Sequence, residues 1–265
     1  MTSLNDTIRD LKNPDNLPKP LPIVHMSNAR WFPKICEQGS LQPGECPVFH
    51  QNLLYFFYGG AFYRSKKKVT QEPTELPVAF LFAPKLLDNV ARYFPYDTGA
   101  AQTERYGEPW SQTLRNFDRY AVSNQPNNFE IPCKLIHYIY GSNKKYLRGD
   151  HKSNLTDLQD PLPELYNFLE SDLTKEGCDH RKCIIECQVE KQVDLKFDSP
   201  AWVAFPEGLM KDFVDFCEKY LRDCVPDYYA YDSHKIFTPS EIEAKIEEEA
   251  SKLVKKRYIK LYDWP

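Results

Sequence analysis

The sequence predicts a mixed α+β fold, because short strands and helices follow one another without the regular alternation that builds a parallel sheet. Short aromatic and β-branched runs, each bounded by glycine or proline, are typical of buried strands. Segments with apolar residues at helical spacing are concentrated in the last third of the chain. The 265 residues include 21 Pro and 10 Gly, which indicates many short elements joined by turns within one large domain.

The first part of the chain is predicted to hold an arm, three strands and two helices. Residues 1–22 contain several prolines and indicate an extended N-terminal arm. A short helix after the first strand is predicted from Pro33, which suits a first helical turn, and from Gly39, which suits a left-handed end. The expected strands are Ile23–His25, followed by a polar turn, Leu53–Tyr58 and Leu76–Phe82, and a further helix is expected at Pro84–Tyr93.

Residues 23–265 are predicted to form a single domain that carries an irregular insertion at about 95–160. Long irregular segments inside a domain are often lids or target-binding loops. Within this one, the apolar run Lys134–Tyr140 is typical of a strand. The last third is predicted to contain strands at Cys183–Leu195 and Trp202–Phe205, a helix at Pro206–Leu221, and a final helix that opens with a capping box, Thr238-Pro239-Ser240-Glu241.

Composition limits the class of partner. The formal net charge of −4 argues against a broad electrostatic grip on nucleic acid. Basic clusters at 64–68 and 144–148 still permit a local groove, although a solvated surface is the simpler explanation for either cluster alone.

The sequence shows neither a secretion signal nor an apolar run of membrane-spanning length. Most of the eight cysteines lie inside apolar patterns, as Cys36, Cys133 and Cys217 illustrate. We therefore expect reduced, buried thiols, a cytoplasmic location and no membrane partner.

One cysteine-rich run raises the question of a metal. Zinc sites usually combine paired ligands from two separate loops. Cys178 and His180 suit a loop, but Cys183 and Cys187 suit a buried strand, and no second ligand pair is visible. We therefore expect no metal.

The sequence contains no phosphate-binding, dinucleotide-binding or serine-hydrolase fingerprint. It does not exclude a catalytic pair in which a histidine activates a nucleophilic cysteine.

The polar end of the first strand is the main functional signal. His25 and Ser27 lie two residues apart, so strand alternation places both side chains on one side of the strand. A lone histidine at such a position is most often a structural hydrogen-bonding residue. The signal is strengthened by Tyr55, Tyr58 and Tyr63, which surround a double glycine that permits close approach to a ligand.

In these residues the sequence resembles the ADP-ribosyltransferase superfamily. Its first motif is a histidine, a hydroxyl residue two positions on, a short helix and a Gly-x-Leu ending, which is similar to His25 through Leu41. The likeness is greatest to DarT-type toxins that modify nucleic acid. The second motif of the histidine-tyrosine-glutamate branch is similar to Tyr55-Phe56 followed by Tyr63. The resemblance covers residues 23–64 and implies split antiparallel sheets with flanking helices.

The resemblance also implies roles for individual residues. His25 would hydrogen-bond a ribose of NAD, Ser27 would support the nicotinamide end, and Tyr55 and Tyr63 would flank the nicotinamide ring. Arg64 would hold a phosphate of NAD or of the target, although a solvated cation explains it equally well. The candidates for binding NAD are His25, Ser27, Asn28, Tyr55, Tyr58, Tyr63 and Arg64.

A glutamate on a later strand would complete the catalytic set of His25 and Tyr63. In the resembled family this carboxylate accepts a hydrogen bond from the ribose 2′-hydroxyl and stabilises the oxocarbenium-like transition state. Glu186 begins an alternating strand, whereas Glu207 lies at a strand-to-helix junction, where a first-turn helix charge also explains it. The sequence does not decide which of these two glutamates is the catalytic one.

The expected function is therefore that of an NAD-dependent ADP-ribosyltransferase with NAD as co-substrate. Nucleic acid, either DNA or RNA, is the favoured acceptor. The resemblance implies a toxin of a toxin–antitoxin or phage-defence system, with a neutralising antitoxin protein as partner. Two alternatives remain, an ADP-ribosyltransferase that modifies protein and a non-catalytic binding module on the same fold.

Overall fold

The computed structural model describes residues 2–11, 14–62, 72–123, 129–152, 161–171, 182–222, 224–233 and 238–259. The strands are β1 (Ile23–Asn28), β2 (Ser40–Leu41), β3 (Gly44–Cys46), β4 (Gln51–Tyr58), β5 (Pro77–Phe82), β6 (Arg92–Phe94), β7 (Val122–Ser123), β8 (Glu186–Val189), β9 (Val193–Asp194), β10 (Trp202–Pro206) and β11 (Asp227–Tyr231). The α-helices are α1 (Leu4–Asp10), α2 (Phe32–Gln38), α3 (Thr98–Gln102), α4 (Trp110–Leu114), α5 (Phe117–Tyr120), α6 (Glu130–Leu135), α7 (Asn143–Arg148), α8 (Leu162–Glu170), α9 (Met210–Tyr220) and α10 (Pro239–Tyr258).

The main sheet runs in the order β11-β10-β5-β1-β4-β8-β6-β7, and β3 adds to β4 outside this path. Neighbouring strands are antiparallel throughout this order except for β10 and β11, which are parallel. A separate pair is formed by β2 and β9. The α+β class predicted from the sequence is confirmed.

Aromatic packing holds the helices on the β5–β10 half of the sheet. The ring of Phe32 stacks on Phe80 at 5.8 Å and on Phe205 at 5.1 Å, measured between centroids. Phe213 of α9 packs on Phe205 from the same side. All four side chains are nearly fully buried, so α2 and α9 form one layer over the sheet.

The end of α2 is set by glycine, as the sequence predicts. Gly39 has φ +65°, and its amide closes the helix by donating to the carbonyl of Ile35. A Cβ at this position would lie 3.0 Å from the ring of Tyr220, which leaves little room for a side chain. The strand–turn–helix connection from Ile23 to Gly39 is therefore held at a defined angle to the sheet.

The predicted N-terminal arm is wrong in its first part, because residues Leu4–Asp10 form helix α1. Ser3 caps this helix by accepting a hydrogen bond from the Asp6 amide, and Leu4 and Ile8 are buried one turn apart. The prolines that indicate an extended arm all follow this helix, and the spacing of Leu4 and Ile8 is the feature of the sequence that indicates a helix.

The predicted strand at Lys134–Tyr140 is also wrong. Helix α6 continues there into a π-helix at Ile136–Tyr140. Short apolar runs do not distinguish a strand from a buried helix, and packing of Tyr140 against Tyr146 of α7 favours the helix. The segment at 95–160 is accordingly a helical region in its described parts rather than an irregular one.

The predicted helix at Pro84–Tyr93 is correct only in its first half. A 3₁₀ helix covers Pro84–Asn89, and the chain then enters β6, which pairs with β8 and β7. The other predicted strands agree with β4, β5 and β10 to within a few residues, and the first one continues beyond His25 as β1. The single strand predicted at Cys183–Leu195 is wrong, because the chain forms two short strands there, β8 in the main sheet and β9 in the separate pair with β2.

Replacing Thr238 by alanine is expected to destabilise the protein by about 1 kcal/mol. The Thr238 hydroxyl accepts a hydrogen bond from the Glu241 amide at 3.2 Å, and the Glu241 side chain accepts one from the Thr238 amide. These bonds open α10, whose Ile246 and Val254 are fully buried. Denaturant unfolding of Thr238→Ala beside Thr238→Ser measures the loss, and equal midpoints for the two variants would contradict it.

Candidate active site

The main sheet divides between β1 and β4. These strands pair only at Ile23–Tyr58 and Val24–Phe57, whereas β1 remains paired with β5 as far as Asn28. From His25 onward β1 follows β5, and β4 follows β8. The two halves of the sheet therefore separate at His25, and this is the split arrangement that the sequence predicted.

His25 stands at the point of separation. Its ring nitrogen Nδ1 lies 2.8 Å from the carbonyl oxygen of Tyr55 on β4. A carbonyl only accepts, so Nδ1 carries the hydrogen and Nε2 is the acceptor nitrogen of a neutral ring. Burial lowers the pKa of His25, which favours this neutral form. The His25 side chain thus links β1 to β4 at the point where their main-chain hydrogen bonds stop, which we call the fork. Its Nε2 atom can accept a hydrogen bond from a ligand.

A cavity of about 710 Å³ opens at the fork. Its volume is in the range of ordinary ligand and cofactor sites. The walls come from elements distant in sequence, namely the end of β1, helix α2, strands β3 and β4, the α3 region and the start of β8. The polar and aromatic residues among its lining are His25, Ser27, Asn28, Trp31, Lys34, Gln38, Ser40, Gln42, Glu45, Tyr55, Phe57, Asp97, Thr103, Arg105 and Glu186.

Glu186 is the buried carboxylate of this cavity, with 1% of its surface exposed. Thr98 donates to it twice, from its amide to Oε2 at 3.0 Å and from its hydroxyl to Oε1 at 2.8 Å. The side-chain amide of Gln188 donates to Oε1 at 2.6 Å. Three donors therefore fix the carboxylate in one orientation.

The orientation of Gln188 is itself set by a cation. The Nε–H of Arg92 donates to the amide oxygen of Gln188, so the amide nitrogen of Gln188 is the group that faces Glu186. Gln188 is fully buried, and it lies on the same face of β8 as Glu186 because the two are separated by one residue. Arg92, Gln188 and Glu186 form a continuous chain of hydrogen bonds.

The environment of Glu186 opposes its ionisation. Burial, together with the nearby carboxylate of Asp97, raises the pKa of Glu186 to about 8, although the hydrogen bonds from Gln188 and Thr98 act in the opposite direction. Asp97 is buried and accepts a hydrogen bond from the Ala100 amide at 2.9 Å. A carboxyl group with a pKa near neutrality, inside a cavity, is typical of a catalytic acid–base residue.

Tyr55, on the neighbouring strand β4, also lines the cavity. Its hydroxyl lies 2.6 Å from the Sγ atom of Cys46 on β3, and both residues line the cavity. Burial and the hydrogen bond to Cys46 raise the pKa of Tyr55, so this phenol stays neutral. The β4–β8 pairing places Tyr55 opposite Gln188 and Phe57 opposite Glu186.

The other predicted binding residues have different positions. Ser27 and Asn28 line the cavity with His25. Tyr58 does not line it, because strand alternation turns it away from the face that holds Tyr55. Its ring is buried, and its hydroxyl accepts a hydrogen bond from the Leu21 amide at 2.8 Å. The structure therefore gives Tyr58 a packing role.

Tyr63 and Arg64 lie outside the described residues, as does the basic run Lys66–Lys68. Of the two candidate glutamates, Glu186 lines the cavity and Glu207 does not. Glu207 is exposed, in a 3₁₀ helix at Glu207–Leu209 that follows β10.

Several residues that line the cavity or hold its side chains were missed from the sequence. Gln188 had a usable signal, since it lies two positions after Glu186 on a predicted strand. Asp97 and Thr98 lie in the segment that was expected to be irregular, and Cys46 had no distinguishing pattern. These three reach Glu186 or Tyr55 only through the tertiary fold.

In the parts of the chain that the structure describes, no group of three or more His, Cys, Asp or Glu residues is arranged to hold a metal ion. Cys178 and His180 of the cysteine-rich run lie outside those parts. Cys187 is fully buried on β8, and the Sγ atom of Cys183 lies 3.6 Å from the carbonyl oxygen of Gly149.

None of the helices within the described ranges is long and apolar enough to span a membrane.

No protein-family model and no curated protein matches the sequence. Solved structures similar to the chain include those of DarT. The DarT of Thermus sp. 2.9 in complex with NAD+ is 11% identical, with a TM-score of 0.41, and the match covers 82% of this chain and 98% of that one. The same DarT in complex with ADP-ribosylated ssDNA is 8% identical, with a TM-score of 0.40 and coverage of 82% and 96%.

Proposed function

We propose that this protein is an NAD-dependent ADP-ribosyltransferase, and that Glu186 is its catalytic carboxylate. The observation that supports this most directly is the meeting of His25, Tyr55 and Glu186 around one cavity. These residues come from three separate parts of the sequence, in the order of the three motifs of the histidine-tyrosine-glutamate branch.

The charges around the cavity suit a dinucleotide. Lys34 and Arg105 line it as cations that can hold the two phosphates. The neutral His25 ring provides an acceptor for a ribose hydroxyl at the fork. Asp97, and Glu186 when it is ionised, supply negative charge at the buried end, where positive charge would develop on a ribose. The residues present therefore fit NAD.

The proposed chemistry assigns one task to each residue. Ionised Glu186 accepts a hydrogen bond from the 2′-hydroxyl of the nicotinamide-bearing ribose and stabilises the positive charge that develops as the glycosidic bond breaks. Thr98 and Gln188 hold that carboxylate in place. Tyr55, whose phenol remains neutral, flanks the nicotinamide ring. The same carboxylate then takes the proton of the acceptor nucleophile as the new bond to ribose forms.

Nucleic acid, DNA or RNA, is the acceptor that we favour. The likeness of the first motif to DarT-type toxins supports it, and so does the exposed aromatic and cationic character of the cavity mouth. We further propose the role of a toxin that an antitoxin protein neutralises in the cytoplasm. The net charge of −4 requires that the nucleic acid contact be local rather than broad.

Incubation with NAD labelled in its adenylate part tests the proposal. We expect nicotinamide release, with label transferred to single-stranded DNA or RNA when DNA, RNA and protein are offered together. The label should be lost on nuclease treatment and survive protease treatment. The reverse pattern would favour a protein-modifying enzyme. Binding of NAD without nicotinamide release, with every acceptor offered, would favour the non-catalytic alternative.

A further inference from the structure

A tryptophan lies exposed at the mouth of the cavity. Trp31 ends the 3₁₀ turn Ala29–Trp31 between β1 and α2, lines the cavity, and has 48% of its surface exposed. Its neighbours Ala29 and Phe32 are buried, so the backbone on both sides is anchored to the core. The buried face of α2 is made by Phe32, Ile35 and Cys36, and it does not need the indole ring.

Two cations accompany this ring. The guanidinium carbon of Arg30 lies 5.5 Å from the centre of the Trp31 ring. Lys34, one helical turn further along, is exposed and lines the same cavity. An aromatic face beside positively charged side chains is the combination on which nucleobases stack while their phosphates are contacted.

Trp31 differs from the other exposed aromatic residues of the described ranges. Phe129 and Phe197 do not line the cavity, although Phe197 is 82% exposed. Tyr228 lines a separate apolar groove beside α9. Isolated exposed aromatics are common on protein surfaces and need no ligand. Trp31 is set apart by its place on the rim of a polar cavity and by its two cationic neighbours.

We propose that Trp31, with Arg30 and Lys34, forms a stacking site for a nucleobase at the mouth of the cavity. This inference rests on the proposed function, because it assigns a subsite to the same cavity. Two sources can supply the base, namely the adenine of NAD and a base of the acceptor strand. Both require the same flat ring with an adjoining phosphate, and binding experiments separate them.

The test measures dissociation constants by calorimetry for three probes: ADP-ribose, a short single-stranded DNA oligonucleotide and ribose 5-phosphate, which has no base. Stacking on an aromatic residue is worth about 1–3 kcal/mol per base, so Trp31→Ala should weaken binding of one base-containing probe by a factor of about 5 to 150. Loss for ADP-ribose alone identifies the adenine site, and loss for the oligonucleotide alone identifies the acceptor site. Binding of ribose 5-phosphate should not change.

Two further variants make the result specific. Trp31→Phe keeps an aromatic face and should recover most of the affinity. Phe197→Ala removes a more exposed aromatic side chain away from the cavity and should bind both base-containing probes like the wild type. Wild-type affinity of Trp31→Ala for both probes overturns the stacking site, as does a wild-type protein that binds neither of them.

Failure of the proposed catalytic function can be distinguished from failure of the stacking site. Nicotinamide release by the wild-type protein, measured in parallel, decides the catalytic activity without reference to Trp31. If the wild type releases nicotinamide while Trp31→Ala binds every probe normally, only the stacking site is wrong. If no nicotinamide is released but Trp31→Ala loses affinity for a base-containing probe, the stacking site stands and the catalytic proposal fails.

Discussion

Glu186→Gln should lower the rate of nicotinamide release from NAD by a factor of about 10²–10³. Glutamine has nearly the shape of glutamate, but its single side-chain oxygen can accept from only one side of the set of donors, because the Thr98 amide and the Thr98 hydroxyl bond to different oxygens of Glu186. It lacks the negative charge that stabilises a developing oxocarbenium ion, and it cannot take a proton from an acceptor. Because the change is close to isosteric, we expect the loss in kcat rather than in the folding of the protein.

Glu207→Gln is the matched control for this substitution. Glu207 is exposed and does not line the cavity, so nicotinamide release should remain at the wild-type rate. Single-turnover assays with labelled NAD measure both variants, and unfolding curves verify that both are folded. A large loss in Glu207→Gln, with normal turnover in Glu186→Gln, would reverse the assignment of the catalytic carboxylate.

The rate of NAD cleavage should rise steeply with pH and level off above about pH 8. The pKa of Glu186 is raised to about 8 by burial and by Asp97, and the proposed chemistry needs the ionised form. Between pH 6 and pH 8 the ionised fraction grows about fiftyfold, and kcat/KM should follow it. A rate that is flat from pH 6 to pH 9 would show that ionisation of Glu186 does not control the reaction.

The free energy of unfolding should fall with rising pH, whereas the rate of NAD cleavage rises. The folded protein keeps a proton on Glu186 that the unfolded chain releases above its ordinary pKa of 4.5. The free energy of unfolding therefore falls as pH rises from about 4.5 to 8, by about 4 kcal/mol from this group. Glu186→Gln removes that contribution, so its stability relative to the wild type should increase over the same pH interval. Urea unfolding of both proteins at pH 5 and pH 9 measures the difference.

Local chemistry was sufficient to predict the elements nearest the site. Pro33 and Gly39 delimit α2 because proline suits a first helical turn and a glycine accepts φ +65°. The apolar runs of β4 and β5 were recognisable because all of β5 is buried, as is every residue of Leu53–Tyr58 except Tyr55. The capping box of α10 was read directly from Thr238 and Glu241.

The elements that were predicted wrongly depend on contacts from elsewhere in the chain. The run at Lys134–Tyr140 suits a strand by composition, and packing of Tyr140 against α7 makes it helical. Helix α1 is short, and it forms where Leu4 and Ile8 can be buried. Short helices are marginal by themselves, so tertiary packing determines whether they form.

The sequence by itself determined that His25 lies on a buried strand, that a tyrosine-rich strand follows it, and that two later glutamates could complete a site. These are properties of local order, periodicity and residue type. Only the tertiary structure shows where the two glutamates lie: Glu186, on β8 beside β4, lines the cavity, whereas Glu207, after β10, does not. It also enclosed Glu186 with Asp97, Thr98 and Gln188, and a raised carboxyl pKa arises from such burial and neighbouring charge rather than from sequence.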